Sequence, residues 1–287
     1  MLWEELREEE FNGAIEKSGG VCVIPMGCLE MHGQHLPVCT DNIQAETVAR
    51  LAAELEEVCV FPTFRFGDVQ DLIEWKGAIR LDPQLMISLL ENLCREISRN
   101  GFKKILIVNY HGGNVQFLNN FMRATCHHKK DYVVMAIDGH AGTSRSKLLK
   151  RIDEEGMEPF PELLPEDVET LRRYEEAKLQ DGHGGLDETC TVLSIRPDLV
   201  KMDRVDAVSG SNTHAADDLI KAGMYGLPLW KKNYPNSFAG EFDGGVTERI
   251  GRCMLRIRPE RLANAYRAYK ESDILEWNEK CNSYYPD

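Results

Sequence analysis

The run Lys104–Asn109, KILIVN, constrains the fold most, because it is a short β-branched apolar stretch that leads without a spacer into Tyr110-His111-Gly112-Gly113-Asn114. Such a run reads as a buried strand. The residues after it predict a helix over about Val115–His127, with Asn114 placed as its N-cap. Strand, glycine elbow and helix in that order form the joint of an open parallel sheet, whose ligands sit beyond the carboxyl ends of the strands. His111 stands in that elbow, where the glycines let backbone come close to a ligand.

Other segments repeat the alternation. Residues 1–18 read as a short amphipathic helix. Val21–Ile24 reads as a strand that Pro25 and Gly27 stop. Asn42–Glu57 reads as a helix capped by Thr40 or Asp41. Val58–Pro62 reads as a strand, and Asp82-Pro83 starts a helix with an apolar face of Leu85, Leu89, Leu90, Leu93 and Ile97. Tyr132–Ile137 is a further strand that ends at Asp138-Gly139-His140. Arg196-Pro197 ends a helix that begins just after His183, and Pro259 separates two last helices, near 246–257 and 259–277. The expectation is an α/β fold of one domain over residues 1–287, with an acidic insert at about 152–180 and a C-terminal helical region at about 246–287. The insert, with Pro159, Pro161 and Pro165, reads as a loop and helix lying over the site or at a subunit contact.

The formal charge of −13, with no long basic run, argues against nucleic acid or an anionic membrane as partner. No apolar stretch approaches 18 residues, and the N-terminus MLWEELREEE is not a signal peptide. The nine cysteines lack any C-x-x-C pair, which suits reduced, mostly buried thiols and a cytoplasmic location.

Chemistry concentrates in three places. In Val21–Asp41, Glu30, His32, His35 and Asp41 follow the first strand, and Glu30 and His32 share a face of an extended segment. His111 is the second place. The third is Asp181-Gly182-His183-Gly184-Gly185-Leu186-Asp187-Glu188-Thr189, in which Glu188 falls in the first turn of a helix. Carboxylates with imidazoles suit zinc, manganese, iron or cobalt better than magnesium or calcium. Glu30, His32, Asp41, His111 and Glu188 are the right types for two divalent ions about 3.5–4 Å apart. Asp41 would bridge, with Glu30 and His111 on one ion and His32 and Glu188 on the other. A bridging water would then approach a pKa of about 7, and His183 would carry protons. Tyr110, Trp75, His35 and His140 are placed as substrate contacts. No G-x-S-x-G or P-loop sequence supports a nucleophilic serine or an NTPase.

The pattern E-x-H-G-x-H-L-P-x-x-T-D at Glu30–Asp41, N-x-H-G-G-N at Asn109–Asn114 and H-x-G-x-x-E-T at His183–Thr189 resembles the creatininase (creatinine amidohydrolase) family. The resemblance implies a three-layer α/β/α sandwich with a mainly parallel sheet and a dinuclear centre, zinc first, with manganese or iron admissible in one site. It also implies hydrolysis of a C–N amide bond in a small molecule, and a homo-oligomer, often a hexamer. The family's ligands fall on Glu30, His32, Asp41 and His111, with Glu188 as the fifth in members carrying H-G-G-N.

Three departures point away from creatinine itself. Gly113 stands where creatininases have a glutamate, Leu186 where the third motif has one, and Asp71-Leu72 where an E-H pair often precedes P-G-T. The family also holds formamide hydrolases and a peptide-trimming branch. Two other classes compete: a metal-dependent lyase or isomerase acting on a carbonyl, and a binding homologue without activity. The intact ligand set argues against the last.

Overall fold

The computed structural model describes residues 1–69 and 74–285. Two 3-10 turns precede α1 (Phe11–Lys17), so the expected first helix is confined to its second half. Next come β1 (Val21–Met26), α2 (Thr40–Leu55), β2 (Cys59–Val60), α3 (Pro83–Arg99), β3 (Lys104–Asn109), α4 (Asn114–Ala124) and β4 (Val133–Asp138). The chain continues through α5 (Arg145–Glu155), α6 (Pro165–Glu176), α7 (Leu186–Ile195), α8 (Asp217–Lys221), α9 (Leu227–Asn233), α10 (Glu248–Glu271) and α11 (Ile274–Asn282). The strands pair in the order β2-β1-β3-β4, all parallel.

Alternating side chains divide the core between the two faces of the sheet, as strand geometry requires. Cys22, Ile24, Ile105 and Ile107 pack with Met86, Leu90 and Cys94 of α3 and Phe117 and Phe121 of α4. Val21, Val23, Leu106 and Val108 pack with Val48, Ala49 and Ala52 of α2 and Leu262, Tyr266 and Tyr269 of α10. Helices therefore cover both faces, and the architecture is an α/β/α sandwich.

Several local expectations are corrected. Pro25 does not stop β1. Its carbonyl, like that of Val23, turns toward the β2 side, where β2 has already ended and no ladder partner waits for the missing N–H. On α3, Asp82 caps the backbone N–H groups of Gln84 and Leu85, but the buried stripe is Met86, Leu90, Cys94 and Ile97, with Leu85 turned to solvent. Thr40 and Asp41 lie inside α2 rather than capping it, and Asn114 opens α4 with Gly113 in the cap position. Pro259 sits inside one continuous α10. An interior proline costs about 3 kcal/mol. That helix buries Ile250, Met254, Ile257, Leu262 and Tyr266, each worth about 1.5–3 kcal/mol, so packing outweighs the lost hydrogen bond.

Of the two places expected for the acidic segment, the one over the site is not taken. Leu148, Leu149, Ile152, Val168, Leu171 and Tyr174 form a second core against α7 and the first half of α10. Its apolar face is used within the chain, beside the sandwich. None of residues 152–180 lines the cavity described next.

Candidate metal centre

The site lies beyond the carboxyl ends of β1, β3 and β4. The loop after β1 carries Cys28, Glu30 and His32, and the first turn of α2 supplies Asp41. His111 follows β3, His140 follows β4, and His183 and Glu188 come from the loop and first turn of α7. Gly184 has φ +75°, and a Cβ there would stand 2.8 Å from Phe238 and 3.2 Å from the carbonyl carbon of His32, so glycine lets the third motif close on the first.

All five ligand candidates from the sequence meet in one buried cluster. Asp41 Oδ1 is 2.9 Å from His32 Nε2, and Asp41 Oδ2 is 3.2 Å from His111 Nδ1. Glu30 Oε1 is 2.9 Å from His111 Nδ1, and Glu188 Oε2 is 3.7 Å from His32 Nε2. Glu188 also accepts the Gly184 N–H at 2.7 Å. His183 Nδ1 approaches Glu30 Oε1 at 3.5 Å, and its ring leans on His32 with centroids 4.0 Å apart. Three donor sets have ligand atoms within 4.8 Å of one another: Cys28, Glu30, Asp41 and His111; Glu30, His32 and His183; His32, Asp41 and Glu188.

Main-chain carbonyls orient all three rings. His32 Nδ1 faces the Glu30 carbonyl at 3.2 Å, His111 Nε2 the Asp68 carbonyl at 2.7 Å, and His183 Nε2 the Met31 carbonyl at 2.6 Å. A carbonyl only accepts, so each of those nitrogens carries the proton, and the other nitrogen of each ring turns into the cluster. A Cβ on Gly113 would stand 2.4 Å from His111 Nε2 and 2.5 Å from the Asp68 carbonyl, so this bond occupies the room a glutamate there would need. Asn114 joins the same support, accepting the Asp68 N–H at 2.7 Å and donating to Asn109 Oδ1 at 2.9 Å.

The electrostatics are those of a centre short of positive charge. Burial disfavours the charged form of His32, but Asp41 and Glu188 outweigh it and push the imidazole up to about 10. Burial likewise opposes the His111 cation, and Glu30 overrides it, raising the group well above its ordinary value. Burial would raise Asp41 and Glu30, yet the neighbouring histidines hold both carboxyls down. Glu30 Oε2 is buried without a hydrogen-bond donor, and Oε1 meets ring nitrogens alone, His111 Nδ1 nearest at 2.9 Å. A divalent cation is a partner that suits such an oxygen.

The cluster opens on a cavity of about 620 Å³ lined by Tyr110, Gly112, Gln116, His140, Leu227 and Trp230 besides Glu30, His111, His183 and Glu188. Tyr110 offers its ring, since its hydroxyl is turned to the Gly139 carbonyl. His140 rests edge-on against Tyr110, 3.9 Å from Asp187 Oδ2. Buried Arg258 holds that aspartate and bonds Thr143 and Thr191. His35 and Trp75 do not line the cavity. His35 is buried between Phe238 and Phe242 with Nε2 2.9 Å from Thr189 Oγ1, and burial brings it down to about 4, so it stays neutral. Leu186 packs into the second core. Asp71 and Leu72 lie outside the described residues.

Sequence reasoning passed over Cys28, Trp230, Leu227, Gln116 and the Asp68 carbonyl. For Cys28 a signal existed, because the two-residue alternation that pairs Glu30 with His32 reaches Cys28 one step earlier. Trp230 belongs to a region with no motif.

A family model described as "Creatininase: Creatinine amidohydrolase" matches residues 4–264. The creatinine amidohydrolase of Pseudomonas putida is 23% identical over 211 residues, covering 70% of this chain and 74% of that protein. A mycofactocin precursor peptide peptidase of Mycolicibacterium smegmatis is 26% identical over 164 residues, or 50% of this chain and 66% of that one. One from Mycobacterium tuberculosis is 32% identical over 103 residues, 32% of this chain and 41% of that one. Among solved structures, one described as "Creatininase Mn" superposes with a TM-score of 0.66 at 19% identity, covering 94% of this chain and 99% of that chain. A mutant creatininase complexed with creatine gives 0.66 at 20% identity over the same shares.

Proposed function

Since the chain belongs to the creatininase family, we propose that it is a metal-dependent amidohydrolase cleaving a C–N bond of a small amide, cyclic amide or formamide. The observation that carries the reading is Asp41, which turns one oxygen toward His32 and the other toward His111 at the shared edge of two donor sets. Glu30, Asp41 and His111 would hold one ion, and His32, Asp41 and Glu188 the other. The unpartnered Glu30 Oε2 and the inward-facing histidine nitrogens fit such ions. When bound, ions of this kind polarise a carbonyl and lower the pKa of water toward about 7.

The chain's own residues supply the rest. With Nε2 committed to the Met31 carbonyl, His183 has Nδ1 free to take a proton as water adds to the carbonyl and to return it to the departing nitrogen. Trp230 stands edge-on to His183, with ring centroids 6.0 Å apart, and with Tyr110 and Leu227 forms an apolar wall that suits a flat substrate. His140, which rests against Tyr110, and Gln116 offer hydrogen-bonding groups to the same cavity.

A second reading, removal of residues from a short peptide, is favoured by the mycobacterial relatives, whose names make them peptide peptidases. The metal-free protein, reloaded with zinc or with manganese, is assayed against lactams, formamides, creatinine and short peptides. Turnover of a small amide that needs metal supports the first reading. Turnover confined to peptides transfers the assignment to the second, and absence of metal binding overturns both.

A further inference from the structure

We propose that Cys28 is a fourth protein ligand to the ion held by Glu30, Asp41 and His111, which closes that half of the centre and gives it a preference for thiophilic metals. The inference rests on the metal reading above. It starts from position. Cys28 is fully buried, and its Sγ lies within 4.8 Å of ligand atoms of Glu30, Asp41 and His111. The thiol stands 3.1 Å from Asp41 Oδ2, the oxygen that faces His111 Nδ1. Its backbone is fixed as well, because the Asn42 side-chain amide donates to the Cys28 carbonyl, tying this loop to the first turn of α2.

The second observation is Glu30. It is 1% exposed, and its Oε2 has no donor although the residue lies in the same donor set. Four donors of the types S, O, O and N around one point are a tetrahedral zinc set. With metal–oxygen distances near 2.0–2.2 Å and metal–sulfur near 2.3 Å, such donors stand about 3.3–3.7 Å apart. Three of the spacings here are 2.9–3.2 Å and all lie within 4.8 Å, so small shifts of the side chains bring the four donors to one ion. On binding, the S–H bond breaks, its proton leaves to the buffer and the S–metal bond forms.

The two halves then differ in kind. The His32, Asp41 and Glu188 half has three protein ligands and keeps an open position beside His183 and the cavity, as a catalytic ion needs. The Cys28 half is filled by the protein. Sulfur is a soft donor, so this half prefers zinc, cobalt or cadmium, whereas the other, with nitrogen and oxygen only, accepts manganese more readily.

The test loads the metal-free protein with cobalt(II), counts ions per chain and records the near-ultraviolet spectrum. A sulfur-to-cobalt charge-transfer band present in the parent and lost in Cys28→Ser at equal cobalt content is expected. X-ray absorption of the zinc-loaded parent, which needs no variant, should show a sulfur neighbour at about 2.3 Å. In zinc–manganese competition, Cys28→Ser should shift selectivity toward manganese by about tenfold or more. Bound cobalt with no band that depends on Cys28, or a zinc shell of nitrogen and oxygen alone, overturns the proposal and leaves the metal reading standing. A protein that binds no cobalt overturns both.

Discussion

Asp41 faces His32 Nε2 at 2.9 Å with one oxygen and His111 Nδ1 at 3.2 Å with the other, so its loss is felt on both sides of the centre. Asp41→Ala should therefore lose both ions, whereas His32→Ala should retain the one on the His111 side; metal analysis of the dialysed variants distinguishes these outcomes. His183→Ala should keep its metals and lose about 10²–10⁴-fold in turnover, the usual worth of a positioned acid–base group. A loss of metal instead would give His183 a ligand-orienting role. The pH dependence follows from His32, which the carboxylates raise from 6.5 to about 10 against the opposing effect of burial. A raised histidine contributes stability that is complete below its unfolded value and lost as pH rises through its folded value. The metal-free protein should thus weaken from about pH 6.5 toward about pH 10, while metal affinity climbs as the competing proton leaves. Calorimetric titration with zinc near the two ends of that window would expose a flat profile if the assignment were wrong. These ligand candidates could be picked out because carboxylate and imidazole side chains cluster beside glycines in a pattern that resembles one family's. Cys28 was passed over although it falls in step with Glu30 and His32, since a scattered cysteine reads as core packing, and the Asp68 carbonyl has no side chain to announce it.

Elements position the walls of the cavity. Helix α9 brings Trp230 to His183, and Lys231 ties the same helix to Glu74 and Ser237. Trp230→Ala should leave metal content unchanged and raise KM more than it lowers kcat, measured on whichever amide the screen identifies. Helix α10 supports the His140 side of the cavity through fully buried Arg258, bonded to Asp187, Thr143 and Thr191. Breaking a buried pair by removing one partner costs about 3–5 kcal/mol. Arg258→Met should show such a loss in denaturant unfolding, and a change under about 1 kcal/mol would mean that Asp187 finds another partner. The strands and their order along the chain were readable because apolar runs of that length have few alternatives. Pro259 misled, since a local cost is visible in sequence and the packing of α10 on α7 and α2 that overrides it is not. Leu85 misled likewise, because a stripe of leucines fixes a helical period more firmly than the side that faces the sheet.

At the scale of the molecule, the centre joins segments more than a hundred residues apart, the β1 loop and the start of α7 among them. An ion bound there stabilises only the folded state, by about 4.1 kcal/mol per site at a thousandfold excess over its Kd. Chelation should lower the thermal midpoint, and zinc should restore it; an unchanged midpoint would show that the cluster holds no ion. That the acidic segment does not lie over the site was hidden in the sequence, because its apolar stripe specifies burial without naming what it is buried against. The support of the three histidines carries a last consequence. His32, His111 and His183 are oriented by the carbonyls of Glu30, Asp68 and Met31. No point substitution deletes a carbonyl. Over long mutational drift the side chains lining the cavity can turn over while the rings keep their aim, and substrates can be exchanged without rebuilding the centre. What would end that inheritance is a change of loop length around residues 30 or 68.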